Sequence, residues 1–128
     1  MLENTPLRPA LPASDVERAK KWYSEKLGLE PKSDTQFGSL LYETGGSEFL
    51  VYQSEHAGTN QATAAGFMVA NFDEVIDDLR SRGVEFDEVD FGEMGKTVDG
   101  VITSPDGTMK GAWFRDSEGN ILALSTPM

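Results

Sequence analysis

Few side chains in this sequence are equipped for chemistry, and that scarcity narrows the options. There is one histidine, His56, and no cysteine. A metal centre built on two or three histidines cannot form within one chain, and thiolate ligands and a cysteine nucleophile are excluded. Glu48 would serve as a general base if its surroundings desolvated it; a solvated surface carboxylate is the plainer reading. Glu55-His56 beside Glu48 is the one cluster from which a metal site could be assembled. His56 itself lies in the polar stretch Ser54 to Thr63 and reads as a solvated loop residue. Gly-x-Gly-x-x-Gly, the phosphate-binding P-loop, Gly-x-Ser-x-Gly and His-Glu-x-x-His do not occur.

Two helices have legible starts. Ser14-Asp15-Val16-Glu17 reads as a capping box with Ser14 at the N-cap. Val16, Ala19, Tyr23 and Leu27 then fall on one face, and Gly28 suits a left-handed stop. Asn71-Phe72-Asp73-Glu74 repeats the plan, with Phe72, Val75, Ile76 and Leu79 as the stripe and Gly83 as the stop. The predicted strands are Leu7 to Ala13, Gly38 to Tyr42, Phe49 to Gln53, Ala65 to Ala70, Val84 to Phe86, Val101 to Ser104, Gly111 to Arg115 and Ile121 to Ser125. Pro9 and Pro12 make the first strand short, bulged or an edge. The segment from Asp87 to Thr103 is longer than a hairpin needs and reads either as a lid carrying Phe91 and Met94 or as a disordered acidic loop.

At 128 residues the chain is one domain, or two small repeats fused into one. Its 22 acidic and 11 basic residues give a net charge of -11. Such a surface repels phosphate backbones and anionic lipid, so neither nucleic acid nor membrane is expected as a partner. A cationic ligand would be favoured, although solubility is the common reason for such charge. The imbalance is local: residues 71–99 hold ten acids and three bases. Apolar runs such as Phe49-Leu50-Val51-Tyr52 are strand length, far below the ~20 residues of a membrane span. With no leader visible and no cysteine, a soluble cytoplasmic protein is expected.

The two halves look like one unit used twice. Leu41 to Val51 lies over Phe114 to Leu124 at an offset of 73, and the helices align at an offset of 56. Asp15-Val16-Glu17-Arg18-Ala19-Lys20-Lys21-Trp22-Tyr23 with Leu27-Gly28-Leu29, and Ala112 to Leu124 containing Asp116-Ser117-Glu118-Gly119-Asn120, resemble the signature helix and hairpin of the vicinal oxygen chelate superfamily. That superfamily includes glyoxalase I, extradiol dioxygenases, fosfomycin resistance enzymes and bleomycin-binding proteins. Ser117 stands where the family usually has proline. The resemblance implies an α+β fold of two βαβββ modules forming an open cup-shaped mixed sheet, here about residues 7–54 and 63–126 joined by 55–62. It also implies pairing as a homodimer.

The family holds a metal in the cup with His, Gln and Glu ligands. Counting from the matched motifs puts those places at Arg8, Leu50, Ala64 and Ala123. Arg8 is cationic, and the other three have no donor atom. The expectation is therefore no metal and no cofactor. Alternation along the strands makes Arg8, Leu40, Glu48, Leu50, Tyr52, Trp113, Ile121 and Ala123 the candidate lining of the cup. That lining suits a small organic ligand, aromatic or cationic, which Trp113 and Tyr52 could stack upon and whose anionic group Arg8 could meet. The first expectation is a binding protein that sequesters or senses such a compound. The alternatives are a metal-free or displaced-metal enzyme using Glu48, and an interaction or regulatory module whose cup is filled by its own side chains.

Overall fold

Alternation of apolar and polar residues decides which face of each strand is covered, and two helices supply the cover. The computed structural model describes residues 1–35 and 37–127. The first half contains β1 (Ala10–Ala13), α1 (Val16–Trp22), β2 (Ser33–Asp34), β3 (Leu40–Thr44) and β4 (Ser47–Gln53). The second contains β5 (Thr63–Met68), α2 (Phe72–Ser81), β6 (Ile102–Thr103), β7 (Lys110–Arg115) and β8 (Ile121–Ser125). The strands form two four-stranded sheets of order β1-β4-β3-β2 and β5-β8-β7-β6. In each, the first strand runs parallel to the last and the remaining pairs are antiparallel. The fold is α+β, with two βαβββ modules and open mixed sheets.

Both sheets turn one face to a common core. Leu11, Ala13, Phe49 and Val51 meet Ala112, Phe114, Leu122 and Leu124 there, with Ala19 and Tyr23 from α1 and Phe72, Ile76 and Leu79 from α2. Fully burying each large apolar side chain is worth ~1.5–3 kcal/mol. Aromatic contacts tie the layers together: Tyr42 stacks on Phe49 at 4.9 Å between ring centroids, and Trp22 on Phe114 at 6.3 Å.

The helix starts and stops differ in detail from the sequence expectation. Asp15, not Ser14, caps α1, accepting from the Arg18 amide at 3.0 Å. Ser14 is drawn instead to Glu118 across the module boundary. After Trp22 the helix widens into one π turn, Tyr23–Leu27, before Gly28 stops it at φ +69°. The first strand begins only at Ala10, beyond Pro9, and lies at a sheet edge. The expected strand Val84 to Phe86 is reduced to a single bridge, Phe86 to Phe114. The two-residue β2 carries no apolar pattern to announce it.

The two hairpins differ by one residue, with consequences for the site. Gly45-Gly46, at φ +57° and +84°, form the two-residue turn of β3–β4, so Leu41 faces Leu50. In β7–β8 the turn is Asp116 to Asn120, the last pair is Arg115 with Ile121, and Trp113 faces Ala123. The last strands correspond at an offset of 73, whereas β3 and β7 correspond at 72.

Candidate functional site

The faces of the sheets that the helices leave uncovered carry most of the candidates. On the first sheet, Leu50 lies between Ala10 and Leu41, with Glu48 and Tyr52 on either side along β4. Leu50 is half-buried and Tyr52 is exposed. On the second sheet, Ala123 lies between Gly66 and Trp113, with Ile121 on the same face. Leu40 is not among them. It pairs with Val51 and is buried in the core, because the one-residue difference between the hairpins makes Leu41 the counterpart of Trp113.

The structure thus assembles two groups: Glu48, Leu50 and Tyr52 on one sheet, joined by Arg8 from just ahead of β1, and Trp113, Ile121 and Ala123 on the other. Each surface is apolar at its centre. Met68, on the second, is 72% exposed, an unusual state for so large an apolar side chain. Trp113 is half-buried because Phe91 lies over it, ring centroids 5.2 Å apart.

Phe91 is held by a hairpin in the segment that reads from sequence as a lid or a disordered loop. Thr97 is buried at its base, where its hydroxyl accepts from the Val89 amide at 2.8 Å and lies 3.1 Å from Glu88. The Phe91 amide donates to Gly95 at 2.8 Å. Asp87 anchors the entry, its amide donating to the Trp113 carbonyl and its carboxylate pairing with Arg115 at 3.2 Å.

Charges gather at one end of the first sheet. Glu43 and Glu48 are cross-strand partners, and like charges so placed repel unless a cation bridges them. Lys32 does so, at 2.8 Å from Glu43 and 3.2 Å from Glu48. Arg8 pairs with the other Glu48 oxygen at 3.4 Å. Lys32 first, and then Arg8, hold the Glu48 carboxyl below its ordinary range. Glu48 is therefore a weak base in this setting, contrary to the desolvated general base considered from sequence. Lys32 was missed in the sequence, although the facing pair Glu43 and Glu48 called for a cation.

The residues at the four family ligand positions do not fit a metal. Arg8 is engaged with Glu48. Leu50 and Ala123 offer only carbon, and Ala64 sits at a bulge of β5, packed against the core. The Glu55-His56 pair is exposed, its members 4.0 Å apart. Among the described residues, no three His, Cys, Asp or Glu side chains stand close enough to share a metal ion.

Behind these faces lies a buried polar junction that the sequence analysis did not assign. Glu118 accepts from Arg18 Nε at 2.8 Å and Nη2 at 2.9 Å, and from the Asp15 amide at 3.0 Å. Tyr23 donates to Asp116 at 2.6 Å, and Asn120 donates to the Pro12 carbonyl at 2.9 Å. The β7–β8 turn thereby grips α1 and β1 of the other module. A carboxylate and an amide in a turn between two apolar strands were the available signal.

Residues 6–124 match the family model of the Glyoxalase/Bleomycin resistance protein/Dioxygenase superfamily, and the chain belongs to it. No curated protein matches the sequence. Among solved structures, a glyoxalase family protein from Enterococcus faecalis superposes with a TM-score of 0.71 at 23% identity, covering 98% of this chain and 99% of that one. UcmS2 gives 0.71 at 21% identity, with 94% and 96% covered. A glyoxalase/bleomycin resistance protein from Catenulispora acidiphila gives 0.70 at 22%, with 95% and 97% covered. At such identities the likeness shows the fold alone. Among the described residues, no helix is long and apolar enough to cross a membrane.

Proposed function

We propose that this chain binds a small aromatic compound on its open sheet faces without a metal, for sequestration or sensing. The observation that carries the reading is the pairing of Leu50 with Leu41 and of Ala123 with Trp113. Where the family pattern places carboxylate ligands, this chain offers carbon and an indole. Such a surface binds by apolar burial and stacking, with polar groups at the margin for orientation. The net charge of -11 favours a cationic ligand over an anionic one. The ion-paired state of Glu48 weighs against acid–base catalysis. The absence of cysteine supports a reducing, cytoplasmic setting.

The same geometry supports a homodimer. The candidate residues form two separate groups within one chain. A second copy would bring one group against the other and cover Met68 and Tyr52.

The test is a two-part titration. Protein equilibrated with nickel, zinc, manganese and iron(II) and then desalted should carry far less than one equivalent of metal. A panel of aromatic cations and neutral aromatics read through tryptophan emission should find ligands, with affinity reduced about tenfold or more in Trp113→Ala. Stoichiometric metal, or aromatic binding indifferent to Trp113, would reject the reading.

A further inference from the structure

We propose that a groove at the seam between the two modules, opening beside the Arg8–Glu48 pair and distinct from the Trp113 surface, binds a free apolar α-amino acid. The groove is a cavity of about 200 Å³. Leu11 and Phe49 of the first sheet, Ala65, Phe67 and Leu122 of the second, and Tyr23 from the π turn form its apolar part. Leu7 stands at the mouth and is 97% exposed, with nothing packed upon it. An apolar cavity of ~150 Å³ is enough for a benzene molecule, so a phenyl or isobutyl group fits this one.

The mouth is charged. The groove shares Leu7, Ser47 and Glu48 with a wider, polar hollow of about 650 Å³ that also contains Arg8 and Glu43. Together the two spaces reach the ~300–1,000 Å³ typical of small-ligand sites. An occupant must have an apolar body and a head group that suits this mouth.

Charge bookkeeping selects the head group. Lys32 secures Glu43 and one oxygen of Glu48, while the pair of Arg8 with the other oxygen is the longest of the three, at 3.4 Å, and is solvent-facing. A lone cation at Glu48 would be set beside Arg8. A lone anion at Arg8 would be set beside Glu48, in a chain already at -11. A zwitterion inserted between them leaves every charge partnered: its ammonium donates to Glu48, and its carboxylate accepts from the Arg8 guanidinium. The α-amino acid head group is the compact form of that chemistry, and its side chain then points to the apolar groove.

The experiment compares L-phenylalanine and L-leucine with phenethylamine and 3-phenylpropionate, each lacking one charge, by calorimetry and thermal shift on the full chain. Both amino acids should raise Tm by roughly 5 °C at about ten times Kd. The amine and the acid should each bind at least about tenfold more weakly. Arg8→Gln and Glu48→Gln lie at an exposed mouth and should fold normally by circular dichroism, yet each should weaken amino-acid binding about tenfold or more. Trp113→Phe should leave it unchanged, which separates this site from the sheet-face reading above. Equal binding of the amine or the acid overturns the proposal, as does failure of wild-type protein to bind either amino acid. Self-association that Glu48→Gln abolishes, without any amino-acid response, would assign the groove to a second copy and also overturn it.

Discussion

Glu118 shows how a single buried charge can hold two modules together. Burial by itself would push its pKa up, but the bonds from Arg18, Ser117 and the Asp15 amide outweigh that and hold it at about 2. The ordinary value is 4.5. A carboxyl depressed in the folded state stabilises the fold above its unfolded pKa and loses that contribution as pH falls toward its folded value. Stability supplied by Glu118 should therefore be complete above about pH 5 and vanish progressively down to about pH 2. Taken whole, a shift of this size corresponds to somewhat more than about 3 kcal/mol; because Arg18 is half exposed, about 2 kcal/mol is the expected contribution. Glu118→Gln should lower unfolding free energy by about 2 kcal/mol at pH 7 and flatten the acid limb between pH 5 and 2. Denaturant melts across that interval read both effects; an unchanged acid limb in the variant would refute the assignment.

Among the elements, the hairpin between α2 and β6 decides how much of Trp113 is seen. Its return passes through Gly100, at φ +78°, where an added Cβ would lie 2.6 Å from the Phe86 Cβ. Gly100→Ala should cost about 2–3 kcal/mol, combining left-handed strain with overpacking. Because Phe86 bridges to Phe114 beside Trp113, the hairpin should loosen and carry Phe91 off the indole. Tryptophan emission should shift to the red in the variant at temperatures where circular dichroism still reports a folded chain. Unshifted emission would mean that Phe91 stays in place without that anchor. The sequence disclosed elements unevenly, for physical reasons. The stripes of α1 and α2 were legible because a helix with one wet face must repeat apolar residues at 3.6 spacing. Leu40 was misplaced because a hairpin's register depends on its turn, and the stretch Thr44 to Ser47 is one residue shorter than its counterpart Asp116 to Asn120. The Thr97 staple and the Arg18–Glu118 junction were hidden because they are polar contacts that have no periodicity, and the second joins residues 100 apart in sequence. The correspondence of the last strands, Leu50 with Ala123, was readable by counting, since β4 and β8 keep their offset.

At the scale of the whole molecule, the distribution of charge permits association that the net charge opposes. Two copies at -11 repel one another. The acids of residues 71–99 that dominate the imbalance lie on α2 and the hairpin after it. On the open faces the charges are largely paired, Arg8 with Glu48, Lys32 with Glu43 and Glu48, and Arg115 with Asp87. An interface formed by those faces would bring apolar surface together and keep the acidic helix at a distance, leaving a long-range repulsion that salt can screen. The Debye length falls from ~30 Å at 0.01 M to ~8 Å at 0.15 M, shorter than the span of the molecule. Dimerisation should therefore tighten as salt rises, opposite to an interface made of intermolecular ion pairs. Met68→Glu places a charge on the exposed apolar face and should weaken association about tenfold or more at every salt concentration. Sedimentation velocity across protein concentration at 0.01 and 0.3 M salt separates the cases. Association that weakens with salt would locate the interface among the charged groups. A monomer at all concentrations would leave the two open faces as separate half-sites, and aromatic ligands would then have to bind on Trp113 and Phe91 alone.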